Sequence, residues 1–365
     1  MRNPALKKIG RRVLQIGLPI VIVAFFLYKI RDWGNWQQLV ASFHQWNYWL
    51  LALSFFCFIL QELSYGLIWQ AVLRRLGHAL PLRLCLRIYL ASEFVRYIPG
   101  NVWHVLTRIL WVGKYGVPRP IAFASMTVEL ITKLAAGALI FAVSLIFWGN
   151  LGTVSSLFQS SFIIVLGMVS FLALLIVLHP RFLNGLLNTA LRLIKRDPVV
   201  LTLSYSDILL VTLAWFVSWF VAGCAFFVLV LALWPQTPLA ALPICIGIYA
   251  IAWDFGFVTF ITPGGIGFRE LAIGVLFKLA LPAIPVDLVA IIALLSRVVS
   301  TVAELLCVGV AYLSGSGQVH AIEQEQKQSH AQTNAPEAAV SSEEQPATKE
   351  NNISPSPSPL KPTTK

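Results

Sequence analysis

The stretch ITPGGIGFRE (residues 261–270) interrupts an apolar run with a Pro-Gly pair and ends in two charged residues. A second such break, YIPGNVWHVLTR, occupies residues 97–108. A Pro-Gly pair frees backbone N–H and C=O groups that lipid cannot satisfy, so it is tolerated at membrane depth only inside protein or beside a water-filled cavity. The two breaks therefore predict a cavity within the membrane, and breaks at matching places in two halves are typical of transporter substrate sites.

The overall composition supports a membrane location. Of the 365 residues, 58% are hydrophobic and only 12% are charged, with a mean hydropathy of +0.76, whereas globular domains average roughly 25% charged residues. The formal net charge of +11 raises the question of nucleic acid, but the basic residues cluster at the ends of apolar runs. Membrane orientation explains that distribution, and we expect no nucleic-acid partner.

The cysteines give no sign of a metal or disulfide framework. All five lie in apolar stretches without CxxC spacing or nearby His pairs. Such isolated cysteines do not match the ligand spacing of zinc sites. We expect neither a metal site nor another cofactor.

Six apolar runs have the ~20-residue length that crosses ~30 Å of hydrocarbon. They are residues 13–30, 49–70, 121–148, 162–178, 208–234 and 288–313. The first follows a basic start but lacks a small-residue cleavage site, so we interpret it as a spanning helix rather than a signal peptide. Two further stretches, 82–111 and 239–281, contain the breaks, and each predicts either a helix pair or a re-entrant hairpin.

Basic residues define the expected orientation. They crowd residues 1–12, 74–87, 108–119 and 181–196, whereas the links 149–160, 235–237 and 282–287 carry no Lys or Arg. The former should face the cytoplasm of a bacterial inner membrane, with the N-terminus inside. Each half then contains three full spans and one hairpin, and the odd number inverts the second half relative to the first.

The predicted organisation is an all-α polytopic membrane protein with about six full spans and two re-entrant hairpins in an inverted repeat. A basic cytoplasmic N-terminus (1–12) precedes the membrane domain (13–313), whose halves are about 13–148 and 161–313. The tail, 314–365, is rich in Gln, Glu, Ser and Pro. That composition predicts disorder, and we expect no soluble catalytic domain there.

Several ionisable residues fall within the apolar runs, where each costs at least ~2.5–3.5 kcal/mol unless paired or hydrated. Glu129 and Lys133 are four residues apart and could pair on one helix face. The spacing also allows this pair to be purely structural. Arg297, in the last span, is a candidate to bridge either Glu129 or Glu270 across the centre of the protein.

The first break supplies a second group of candidates. Pro99, Gly100 and Asn101 form the interruption, and His104 and Arg108 share a helix face after it. Arg108 could extend to the cytoplasmic surface or contribute to a site. His104, beside a Trp, is either a packed, hydrogen-bonded side chain or a proton relay.

The second break is glycine-rich and starts a helix. Free N–H groups at a helix start carry partial positive charge, which suits a phosphate headgroup. The alternative is that the glycines only allow a tight turn and close helix packing. The candidate binding residues here are Pro263, Gly264, Gly265, Gly267, Arg269 and Glu270.

At these positions the chain resembles the lysylphosphatidylglycerol synthase transmembrane-region family, a flippase-like family. PGGIGFRE (263–270) and ALLSRVVSTVAELL (293–306) are similar to its second-half motif, and PGNVWHVLTR…ASMTVE (99–129) is similar to its first break. The resemblance covers roughly residues 13–313. The residues that match the family pattern are Pro263, Gly265, Gly267, Glu270, Arg297 and Glu129. Asn101 departs from it, since many members place an acidic residue there.

The resemblance implies lipid handling. The leading hypothesis is a flippase or transporter for a phospholipid or a polyprenyl-phosphate-linked glycan, whose headgroup contacts the 264–267 N–H groups and Arg297 or Arg269. One alternative is a membrane-embedded enzyme of the glycosyltransferase type. The other is a non-catalytic partner subunit of a lipid or glycan synthase.

Overall fold

A computed structural model describes residues 45–93, 95, 103–150, 175–193, 203–258, 263–265 and 267–313 of the chain. All regular structure in these residues is helical. The predicted span 13–30, most of the span 162–178 and the tail 314–365 lie outside the described residues.

The described residues form nine α-helices and three 3-10 helices. The 3-10 helices are Leu145–Asn150, Leu239–Ala241 and Pro263–Gly265. The α-helices are α1 (Tyr48–Arg75), α2 (Leu82–Glu93), α3 (Trp103–Gly113), α4 (Arg119–Ser144), α5 (Pro180–Leu193), α6 (Tyr205–Leu233), α7 (Leu242–Val258), α8 (Phe268–Ala280) and α9 (Val286–Leu313).

Within the described part of the chain, five helical segments are long and apolar enough to cross a membrane. They are Tyr48–Arg75, Arg119–Trp148, Tyr205–Leu233, Leu239–Val258 and Val286–Ala311. Four of them coincide with spans predicted at 49–70, 121–148, 208–234 and 288–313. The protein is therefore an all-helical integral membrane protein, as the sequence predicted.

The helical segments that precede the two breaks differ in length. The 12 residues of α2 rise only about 18 Å at ~1.5 Å per residue, which is short of the ~30 Å hydrocarbon thickness. The segment Leu239–Val258 before the second break has 20 residues and is itself long enough to cross. The number of full spans and re-entrant hairpins stays a prediction.

The order of elements repeats across the chain. In each half a long helix (α1 or α6) precedes a helix, a break, a shorter helix and a second long helix (α4 or α9). Helix α1 packs against α6, α4 against α7, and α9 against α1. This order agrees with the predicted repeat, and its inverted orientation stays a prediction.

Helix α6 shows how the bundle divides lipid-facing from inward-facing residues. Leu210, Leu213, Val217 and Phe220 recur every three or four residues and are exposed. On its inward face the Ser218 hydroxyl lies 2.7 Å from that of Ser64 on α1. Large apolar side chains thus face outward and small polar ones join helices, as expected where lipid replaces water outside.

Glycines allow the inner helices to approach closely. A side chain at Gly223 of α6 would meet the backbone of Ile246 on α7, and one at Gly247 of α7 would meet Ser144 of α4. Small residues at such crossings allow backbones into van der Waals contact. This contact fixes α7, which carries one wall of the cavities described below.

We predict that Gly223→Ala destabilises the protein, because the added methyl group forces α6 and α7 apart at a cost of about 1–3 kcal/mol. Gly274→Ala on α8 is the matched control, since a methyl group there meets no atom within 4 Å. The check is the apparent thermal midpoint of purified protein in detergent. A midpoint lowered equally by both substitutions would contradict the close-packing argument.

Candidate functional site

Two cavities lie beside the two breaks. The second-break cavity, about 550 Å³ including open space at its mouth, is bounded by α1, α7, α8, α9 and Gly264. The first-break cavity, about 430 Å³ with the open space at its mouth included, is bounded by α2, α3, α4 and α7. Trp253 and Phe257 of α7 line both, and their rings stack with centroids 5.5 Å apart. This aromatic pair therefore borders both cavities.

Arg108 is the centre of the first-break cavity. Its side chain is 1% exposed. It donates from Nη1 to Glu129 Oε2 (2.8 Å) and from Nε to Ser92 Oγ (2.9 Å), and it also pairs with Glu93. These contacts join α2, α3 and α4. Arg108 is thus buried in the protein, and the alternative that it extends to a membrane surface is wrong, while its role in a binding site stays a prediction.

A tyrosine completes this cluster. Tyr89 donates its hydroxyl to Glu129 Oε1 at 2.7 Å, and the Arg108 guanidinium carbon lies 3.7 Å from the Tyr89 ring centroid. The Tyr89 hydroxyl and the Arg108 guanidinium therefore both bind Glu129, and the guanidinium also binds Glu93. Sequence reasoning missed Tyr89, because an aromatic residue in an apolar helix carries no signal of such a role.

Lys133 is directed away from the pairing that its spacing suggested. While Glu129 binds Arg108, the Lys133 ammonium lies 3.7 Å from the Tyr65 ring centroid and 4.0 Å from that of Trp253. Such cation–π contacts stabilise a desolvated ammonium. Asp254 of α7 also interacts electrostatically with Lys133. The lysine therefore connects α4 to α1 and α7.

An Arg-Glu pair holds the second break. Arg297 donates from Nη2 to the carbonyl of Gly264 at 2.7 Å, and its Nε lies 4.0 Å from Glu270 Oε1. Of the two bridges predicted for Arg297, the structure contains the one to Glu270. Arg297 therefore ties the break and the start of α8 to α9.

Glu270 also closes the start of its own helix. Its Oε2 accepts a hydrogen bond from Gly267 N–H at 2.7 Å, so a carboxylate already occupies this donor at the helix start. Gly265, with φ of 70°, lies so close to the backbone of Gly256 that a side chain would clash. The alternative reading thus accounts for Gly265 by close packing and for Gly267 by the turn, since its φ is 92°.

Arg269 differs from the other two arginines. It is 5% exposed, lines the second-break cavity and lies over the Tyr249 ring at 4.6 Å. Among the described residues, its Nε and Nη2 have no hydrogen-bond partner. Its position directly after the break made it a candidate, but only the geometry distinguishes it from Arg297.

The remaining candidates are placed as follows. His104 is buried and lines the first-break cavity beside Arg108. Pro99, Gly100 and Asn101 lie outside the described residues, and so does the side chain of Pro263. Within the described ranges, no group of three or more His, Cys, Asp or Glu residues could hold a metal ion.

Comparison with known proteins agrees with this architecture. The lysylphosphatidylglycerol synthase transmembrane region matches residues 13–307. The chain belongs to this family. None of the curated proteins matches it. Family membership indicates a membrane protein of lipid-related processes, and the two charged cavities of this family member lie within the matched region.

We predict that Arg108→Met destabilises the protein by about 3–5 kcal/mol, because it leaves Glu93 and Glu129 buried without their cation. Loss of the partly exposed Arg75–Asp207 pair through Arg75→Met is the control and should cost no more than about 1 kcal/mol. Denaturant unfolding in detergent measures both.

Adding Glu93→Gln and Glu129→Gln to Arg108→Met should recover part of the lost stability, since the uncompensated charges are then removed. Equal stability of wild type and Arg108→Met would contradict a clustered, desolvated ion pair.

Proposed function

We propose that this member of the lysylphosphatidylglycerol synthase transmembrane-region family is a lipid flippase, which moves a phospholipid or a lipid-linked glycan between leaflets. The observation that supports it is the second-break cavity, where Arg269 and Arg297 line a space within a membrane domain. Charged side chains at membrane depth usually line substrate pathways. A cavity of this kind can hold a polar headgroup while acyl chains stay in lipid.

The helix order supports a mechanism of alternating access. The second-break cavity is bounded by α1 of the first half and by α7, α8 and α9 of the second. Rocking of one half against the other would change which leaflet reaches this space. The contacts of Arg108 between α2, α3 and α4, and those of Arg297 at the second break, would let each half move as a unit.

We also propose the membrane, the orientation and the class of partner with which the protein acts. The basic N-terminus and loops favour a bacterial inner membrane with the N-terminus in the cytoplasm. The partner class that follows is a lipid or glycan synthase that supplies the substrate, because a flippase acts on the product of such an enzyme.

The test is leaflet exchange in proteoliposomes that contain the purified chain. Fluorescent phospholipids and a polyprenyl-phosphate sugar are compared with protein-free vesicles. Wild type should exchange one lipid class. Absence of exchange for every lipid would contradict the proposal and favour an embedded glycosyltransferase or a non-catalytic partner subunit.

We predict that Glu270→Gln lowers this exchange at least tenfold while leaving insertion near normal. The amide can still accept from Gly267 N–H, but it lacks the charge that pairs with Arg297, so the break loses its fixed position. Asp287→Asn, an exposed carboxylate at the start of α9, is the control. Full exchange activity of Glu270→Gln would contradict a role for the break in transport.

A further inference from the structure

The charges of the second-break cavity are separated along its length. Arg297 and Glu304 both line it from α9, and seven residues place them about 10 Å apart at ~1.5 Å rise per residue. Glu62 of α1 also lines the cavity, and both carboxylates interact electrostatically with Cys307, three residues beyond Glu304. The break end of the cavity therefore carries two arginines and the far end carries Glu304, while Glu62 lies near both Cys307 and Tyr249.

The two arginines at the break end have different tasks. Arg297 is bound to the Gly264 carbonyl and to Glu270, so it positions the break. Arg269 has two buried nitrogens without a hydrogen-bond partner among the described residues. Because a buried donor without an acceptor is costly, an acceptor from a ligand would stabilise this arrangement.

The geometry of Arg269 specifies the acceptor. Nε and Nη2 lie on one edge of the planar guanidinium, so their N–H groups point in the same direction. Such an edge matches two oxygens of one phosphate group. Gly267 N–H already binds Glu270, so Arg269 is the side chain that offers two parallel donors at this end.

The carboxylates Glu62 and Glu304 narrow the class of headgroup that the cavity can bind. A headgroup that is only anionic would meet repulsion from Glu62 and Glu304, whereas a headgroup that also carries an ammonium would be attracted to them. One phosphate and one ammonium therefore match both ends of the cavity.

We propose that the second-break cavity binds a zwitterionic phospholipid headgroup, with its phosphate on the Nε/Nη2 edge of Arg269 and its ammonium toward Glu62 and Glu304. This inference rests on the proposed flippase function and names its substrate class. It also assigns Arg269 as the binding arginine and Arg297 as a positioning residue.

Calorimetric titration of the purified full chain tests the proposal. The ligands are short-chain phosphatidylethanolamine, short-chain phosphatidylglycerol, inorganic phosphate and ethanolamine. Wild type should bind the phosphatidylethanolamine at least about tenfold more tightly than each of the others, a difference of about 1.4 kcal/mol. Equal or tighter binding of phosphatidylglycerol or free phosphate overturns the proposal, as does absence of binding to all four.

Substitutions in the cavity test which residues bind the phosphate and which bind the ammonium. Arg269→Gln should lower the affinity for phosphatidylethanolamine at least about tenfold, and Arg269→Lys should give a smaller loss, because it keeps the charge without the two-donor edge. Glu304→Gln should reduce the preference over phosphatidylglycerol. Lys278→Gln, which removes a cation of the same helix outside the cavity, is the control. Unchanged affinity in Arg269→Gln, or in Arg269→Lys if the former does not fold, overturns the assignment.

Failure of this inference can be distinguished from failure of the flippase function. Leaflet exchange that favours phosphatidylglycerol would retain the flippase and reject the zwitterionic substrate. Selective binding of phosphatidylethanolamine without any leaflet exchange would retain the site and reject the flippase.

Discussion

The membrane interior cannot hydrate a charge or an open peptide group, and this constraint explains the contacts at the second break and between the helices that flank the first. In both regions an arginine pairs with a carboxylate. Arg108 joins Glu93 and Glu129, while Arg297 holds the Gly264 carbonyl and Glu270. These contacts neutralise the arginines and bind the Gly264 carbonyl, so that these polar groups have protein partners at a depth where lipid offers none.

The residues that hold the second break are already paired, so other polar groups nearby are available to a ligand. At the second break, Arg297 and Glu270 are used in holding the turn, and Glu270 also binds Gly267 N–H. Arg269 is the neighbouring cation whose Nε and Nη2 have no hydrogen-bond partner among the described residues. This division between positioning residues and a binding residue is what a transport site requires, because the turn must stay fixed while the bound headgroup changes.

Local patterns were predicted from the sequence, and long-range partners were not. Apolar run lengths predicted four of the five described spans, and the Arg297–Glu270 bridge was one of the two bridges predicted for Arg297. The spacing of Glu129 and Lys133 suggested a local pair, yet Glu129 binds Arg108 and Tyr89, 21 and 40 residues away. Lys133 instead meets aromatic rings of α1 and α7. Helix packing determines which distant residues become partners, and the packing of helices cannot be read from a single sequence.

The most direct test of the account is a high-resolution structure of the protein in nanodiscs that contain a zwitterionic phospholipid. The account predicts a lipid headgroup in the cavity between α1, α7, α8 and α9, with phosphate oxygens at hydrogen-bond distance from Nε and Nη2 of Arg269. A cavity closed to lipid, with both nitrogens bound to protein carbonyl groups, would contradict it.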